Sequence, residues 1–364
     1  MKFAAVACSF AIAILCVEIG FRVYFGSWAL VNFTGVGSKQ DRTRGLFIHD
    51  TTSWVADRRF GWIPRPGSSA IVPGWGNAEV SILADGLRSN GPSTDPTGPP
   101  AGSPTILAVG DSFTFGDQVS DHQTWPAILE AQTRCTVLNG GVFGYGIDQA
   151  FLRATELARK YEADIVIFSL IPKDISRCEF AVSYGVRKPF FTVLADGGLE
   201  LRNYPVPDPA IPEPTLDLPR RVLGYSAAAH TIIGRLQPVY WYSGRLNQRV
   251  HHDGEIVSCL LLTALTEQMQ AAGTPVLVVL QYDTLDEPYY LEQADRLKAC
   301  LGDRATILDL RSPLVHVRES RPDRFEGMFD GHMTEAGNRF VALEIEAALA
   351  AEGWIPRTGD GHSP

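Results

Sequence analysis

The chain has 364 residues, 45% of them hydrophobic, and a formal net charge of −9. That length provides for one large core with additions, or two domains at most. An acidic chain without a Lys/Arg run is a poor match for nucleic acid, whose binding depends on phosphate neutralisation. Six cysteines with no CxxC pair and no Cys/His cluster argue against a zinc site.

After Lys2 comes an uncharged apolar run, Phe3 to Val17, which Glu18 and Arg22 interrupt and Ile19, Phe21, Val23, Tyr24 and Phe25 continue. A run of about 20 residues matches the thickness of a bilayer. Glu18 and Arg22, four apart, can pair along one helix face. No small-x-small cleavage site follows, as a signal peptide requires. Residues 1–26 are therefore expected to be an N-terminal membrane helix, with an uncleaved anchor preferred over a signal. The rest of the chain is then extracytoplasmic, periplasmic or at the cell surface. Such a compartment permits disulfides among Cys135, Cys178, Cys259 and Cys300, in a pairing the sequence leaves open.

Residues 27–100 form an extended, β-rich lead-in, with Ala70–Val72 and Glu79–Leu83 as candidate strands and 91–100 as a linker by composition. From 101 to 356 strands alternate with helices. Thr105–Val109 is a strand punctuated by Gly110. Thr124 caps a helix with Pro126 in its first turn. Thr136–Leu138 is a second strand, 148–161 a helix, and Asp164–Leu170 a third strand apolar enough for burial on both faces. Residues 176–250, rich in Pro, Gly, Tyr and Phe, interrupt the alternation as an insertion. A helix over 255–272, a strand over 275–280, a helix over 288–300, a strand over 305–310 and a helix over 334–351 complete it. Residues 357–364 read as a flexible tail. The alternation predicts an α/β protein: a three-layer α/β/α sandwich with a mostly parallel, flavodoxin-like central sheet, beside the N-terminal helix and the β/loop-rich insertion.

Catalytic groups in open α/β sheets gather outside the carboxyl ends of the strands. Ser112 follows the first strand by three residues, with Gly110 and Asp111 making the turn and backbone N–H groups close by to stabilise an oxyanion. A serine at a turn is common, so the C-terminal side matters. Asp330 and His332, separated by Gly331, lie after the fifth strand and before the last helix. A turn there can bring a carboxylate to one imidazole nitrogen and leave the other for a serine, which is how a histidine base is held in the right tautomer.

Val109-Gly110-Asp111-Ser112-Phe113-Thr114-Phe115-Gly116 resembles the first block of the SGNH hydrolases, the GDSL esterase/lipase superfamily. Asn139-Gly140-Gly141-Val142-Phe143-Gly144-Tyr145-Gly146 resembles their second block, and Asp330-Gly331-His332 their last. The N-terminal run, Gly61-Trp62 and Asp85-Gly86-Leu87-Arg88 also look like a membrane-attached bacterial branch of that superfamily. The resemblance implies a Ser112, His332, Asp330 triad and an oxyanion hole from the N–H groups of Ser112 and Gly144. It departs at the third block, where the family's oxyanion asparagine is matched by Lys173, whose ammonium either donates to the oxyanion or pairs with a carboxylate. The reaction expected from the resemblance is hydrolysis of an O-acyl ester through an acyl-serine, with no metal or organic cofactor. The partners expected are an acylated small molecule, lipid or glycan, and the membrane through the N-terminal helix. An acyltransferase working on an exported glycan, or a catalytically weak glycan-binding or assembly protein, is the alternative.

Overall fold

Five short apolar runs become one parallel sheet. The computed structural model describes residues 2–25, 54–92, 100, 102–184, 186–207, 218–237, 241 and 248–356; most of the proposed linker and the tail lie outside them. Contacts divide the chain into two units. The first takes residues 1–50, 182–186 and 210–248, and the second takes the remainder.

In the first unit, α1 (Lys2–Phe25) forms over the N-terminal apolar run. Among the described residues, however, no helix is long and apolar enough to cross a membrane, so the spanning anchor expected from the sequence is not supported. Glu18 and Arg22 stand four apart on this helix. They pair as expected, Arg22 Nε donating to Glu18 at 2.6 Å. Glu18 is also engaged elsewhere. Its carboxylate accepts from Ser226 Oγ at 2.7 Å and from the N–H groups of Ala227 and Ala228. It thereby supplies acceptors at the N-terminus of a helix over Ala227–Leu236.

In the second unit, the lead-in folds as two hairpins. One pairs β1 (Trp54–Asp57) with β2 (Gly61–Pro64), and the other pairs β3 (Ser69–Val72) with β4 (Ala78–Ser81). The central sheet is built from β5 (Thr105–Val109), β6 (Thr136–Asn139), β7 (Ile165–Leu170) and two later strands. Along the chain, short strands from the insertion come between: β8 (Phe180–Ser183) and β9 (Val186–Arg187), each with residues in both units, the hairpin of β10 (Phe190–Val193) with β11 (Leu199–Arg202) in the second, and β12 (Gln248–Arg249), again with residues in both. The sheet is completed by β13 (Val276–Leu280) and β14 (Thr306–Asp309). Its order is β14-β13-β7-β5-β6, and all its pairs are parallel. In order along the chain this is the 2-1-3-4-5 arrangement predicted, whose strand order reverses between β5 and β7. Every residue of β7 and β13 is buried, because helices cover both faces of a parallel sheet.

The covering helices carry the expected start signals. Thr124 caps Trp125–Thr133 by accepting from Ala127 N, and Thr334 caps Glu335–Ala351 by accepting from Gly337 N. These two helices pack together. Ile147–Tyr161 packs on Gly254–Ala271, which packs on Pro288–Leu301. Right-handed crossovers put the two groups on opposite faces of the sheet. A disulfide joins Cys259 to Cys300, settling the pairing the sequence left open, while Cys135 and Cys178 are buried free thiols.

Candidate active site

Ser112 sits where the strand order reverses. It opens a one-turn helix, Ser112–Phe115, capped by the Asp111 carboxylate, which accepts from Phe113 N at 2.9 Å. Gly110 is required at the turn. A Cβ there would fall on the carbonyl oxygen of Ser169 in β7 and on the Thr114 hydroxyl. The strand end therefore packs tightly enough against its neighbour to hold Ser112 in one place.

The C-terminal block comes to meet it. Phe329–Asp330 and His332–Met333 form a minimal hairpin about Gly331, with Asp330 and His332 as register partners. His332 Nε2 lies 3.0 Å from Ser112 Oγ, hydrogen-bonding distance between a base and the hydroxyl it would deprotonate. Burial, chiefly, and then the Arg177 and Lys173 charges push the imidazole down from its ordinary 6.5 to about 4, with Asp283 opposing. His332 is thus a neutral base at ordinary pH. Asp330 is exposed.

The second block faces the same point. Gly141 fits only because it has no side chain: a Cβ would stand 2.7 Å from the Thr114 carbonyl carbon. Gly144 takes a φ of +71°, a conformation glycine reaches without strain. Among the described residues, the N–H groups of Ser112 and Gly144 donate to no acceptor. The lead-in holds this loop. Trp62 Nε1 donates to Phe143 O at 3.0 Å, Tyr145 Oη donates to Trp62 O, and the two rings meet edge to face. Below it, Asp148 accepts from Gln149 N and pairs with Lys188, both side chains fully buried.

Lys173 directly follows the β7 exit loop. Its ammonium pairs with Asp283 and lies 5.2 Å from the centre of the Tyr290 ring. Next to it, Asp174 is buried and pushed well above the ordinary carboxylate range by burial and by Asp111. Arg177 joins three blocks. The same Nη1 contacts Asp111 Oδ2 at 3.3 Å, Tyr145 O at 3.1 Å and the Asp174 carboxylate.

The sequence reads Asp117, in the loop after Ser112, as a cap or solvated loop residue, and the structure buries it. Asp117 is 2% exposed, and its carboxylate stands 3.6 Å from His332 Nε2. The next residue, Gln118, accepts from His332 N at 2.8 Å. Fully buried Arg88 supports this loop, donating to the carbonyls of Phe115, Gly116 and Val119 and pairing with Asp121. In the sequence, Asp85-Gly86-Leu87-Arg88 stands out only through the family likeness. What gives Arg88 a role is its burial, which a sequence does not display.

No family model matches this chain, and no curated protein matches it. Solved structures do. A structure of TesA is similar at 15% identity over 68% of this chain and 98% of its own, with a TM-score of 0.40. A psychrotrophic esterase, EstA from Pseudoalteromonas sp., is similar at 13% identity over 69% and 98%, with a TM-score of 0.40. A catalytic mutant of Axe2, an acetylxylan esterase from Geobacillus stearothermophilus, is similar at 12% identity over 69% and 95%, with a TM-score of 0.37.

Proposed function

We propose that this chain is a serine esterase of the SGNH type that hydrolyses a carboxylic O-acyl ester. The observation that carries the reading is the 3.0 Å approach of Ser112 Oγ to His332 Nε2 at the point where the strand order reverses. His332 takes the Ser112 proton as Oγ bonds to the acyl carbon, and the carbonyl electron pair moves to oxygen. The N–H groups of Ser112 and Gly144, with the Lys173 ammonium, stabilise that anion. Collapse expels the alcohol, which takes the proton back from Nε2, and water repeats the cycle on the acyl-serine. Asp330, opposite His332 across the Gly331 turn, is assigned the orienting carboxylate of the triad.

The substrate class is an acylated glycan, lipid or small ester. Transfer of the acyl group to a glycan hydroxyl uses the same residues and differs only in which hydroxyl reaches the acyl-serine. We place the protein in an extracytoplasmic compartment, a reading supported by the Cys259–Cys300 disulfide.

The test is labelling by a fluorophosphonate followed by hydrolysis of p-nitrophenyl esters of increasing chain length. Wild type should be labelled and Ser112→Ala should not. A wild-type chain that resists a probe which labels a control serine esterase would sink the reading. Adding O-acceptor glycans to the labelled-competent enzyme and scoring transfer against hydrolysis separates the two outcomes for the acyl group.

A further inference from the structure

We infer that Asp117 is the carboxylate that stabilises the His332 imidazolium during acyl transfer. The inference rests on the serine esterase reading and adds to it a residue outside the three sequence blocks.

The geometry is specific. Asp117 Oδ2 is 3.6 Å from His332 Nε2, the nitrogen that faces Ser112 Oγ. Among the described residues, neither Asp117 oxygen has a hydrogen-bond partner, although the carboxylate is buried. Buried polar atoms are ordinarily satisfied, and an orphaned one asks for an explanation. The explanation here is that its partner exists only during turnover. Once the Ser112 proton has moved to Nε2, the new N–H and the ring's positive charge stand beside a carboxylate already desolvated and aimed at them. Asp117 takes no proton in this step. The O–H bond of Ser112 breaks, the Nε2–H bond forms, and Asp117 stays ionised throughout, countering the charge.

The surroundings hold Asp117 for that task. Gly116 at φ +87° and Gln118 at φ +72° turn the chain on either side of it. Arg88 fixes the carbonyls of Phe115, Gly116 and Val119. Gln118 grips the His332 backbone N–H, so the same turn positions both the carboxylate and the histidine. Asp330, by contrast, is exposed, where water screens its charge. The charged groups that act on Asp117 are Arg88, Arg177 and Asp111, and those acting on His332 are Arg177, Lys173 and Asp283. Burial raises Asp117 well above the ordinary carboxylate range, with Arg88 opposing. Its ionisation therefore sets where activity begins on the acid side.

The experiment compares wild type, Asp117→Asn and Asp330→Asn, using kcat and KM for a p-nitrophenyl ester and fluorophosphonate labelling rates across pH. Asp117→Asn should lower kcat about 10²-fold, the scale of losing one electrostatic contact to the reacting groups. KM should change little, and the acid limb of kcat/KM should move down toward the about 4 of His332. Wild type should show that limb above the ordinary carboxylate range. An Asp117→Asn enzyme with wild-type kcat and an unmoved limb, beside a disabled Asp330→Asn, overturns the inference while leaving the esterase reading standing. Should the variant not fold, the wild-type profile decides alone, and a limb near 4 overturns the inference. Absence of labelling in wild type is the failure of the esterase reading instead.

Discussion

Arg177 stands 3.3 Å from the Asp111 carboxylate, one residue before Ser112, and the same nitrogen reaches Tyr145 O in the loop after β6 and the Asp174 carboxylate. One cation thus ties together the exits of β5 and β7 and the loop that follows β6. Without it, two buried carboxylates would confront each other.

Arg177→Met should therefore cost stability on the scale of a broken buried ion pair, about 3–5 kcal/mol. One of the two carboxylates must then hold a proton in the fold. A carboxyl raised in the folded state contributes most at low pH, and that contribution is lost as pH rises toward its folded value. The deficit of the variant should accordingly be larger at pH 8 than at pH 5 by denaturant titration. Arg177 also pushes His332 down, so in any variant that stays folded the histidine should charge at higher pH. A deficit independent of pH would mean that Arg177 does not neutralise the carboxylate pair.

The family resemblance matches Lys173 to an oxyanion asparagine, and its ammonium pairs with Asp283. An ammonium has three donors, so one bond to Asp283 leaves others for an oxyanion. Lys173→Ala is expected to lower kcat about 10²–10³-fold, the usual loss for one oxyanion donor, with KM nearly unchanged. Lys173→Asn, which restores an amide donor, should stay within about tenfold of wild type on the same scale. Equal kcat in wild type and Lys173→Ala would remove Lys173 from the hole and leave it as a partner of Asp283.

Much of this site is legible before any coordinates. Apolar runs of strand length give the sheet, Thr124 and Thr334 announce their helices, and Ser112 and His332 stand at strand and helix boundaries where chemistry collects. The helix over Arg311–Ser320 is missed because it is mostly polar and carries a proline in its first turn. Asp117 and Gln118 are missed for a different reason. Their side-chain directions depend on two successive left-handed turns, one at a non-glycine residue, whose backbone no local preference announces. Arg88 stands out in the sequence only through the family likeness, and arginines are seldom buried. Only the three carbonyls and Asp121 gathered around it make burial affordable. The two cysteines that pair, 41 residues apart, had four candidates to be drawn from.

That disulfide ties Gly254–Ala271 to Pro288–Leu301 on one face of the sheet. Closing a loop of 41 residues restricts the unfolded chain by about 4 kcal/mol in the entropic model. Cys259→Ser with Cys300→Ser should lower the unfolding free energy by about that amount. Cys135 and Cys178 are retained as buried thiols in both proteins. Wild type treated with a reductant should approach the variant, and the variant should not respond to the reductant. A variant as stable as wild type in oxidising buffer would show that the two helices are held without the bond.

His332 gives the last test, because its burial affects stability as well as chemistry. The imidazole titrates near its ordinary 6.5 when unfolded and near 4 when folded, driven first by burial and then by Arg177 and Lys173. Between those values the unfolded chain binds more protons than the folded one, so stability rises with pH through the window and is lost as pH falls from about 6.5 to about 4. The difference amounts to about 3 kcal/mol at most. Burial also raises other carboxyls, Asp111, Asp117 and Asp174 among them, so the measurement is a difference between wild type and His332→Gln. Glutamine keeps a polar group near Ser112 but cannot take the proton. The wild-type curve should fall relative to the variant as pH drops through the window and run level with it above pH 7. Parallel curves throughout would mean that the folded chain charges His332 as readily as water does, and the neutral base on which the Ser112 reaction depends would not be built by this fold.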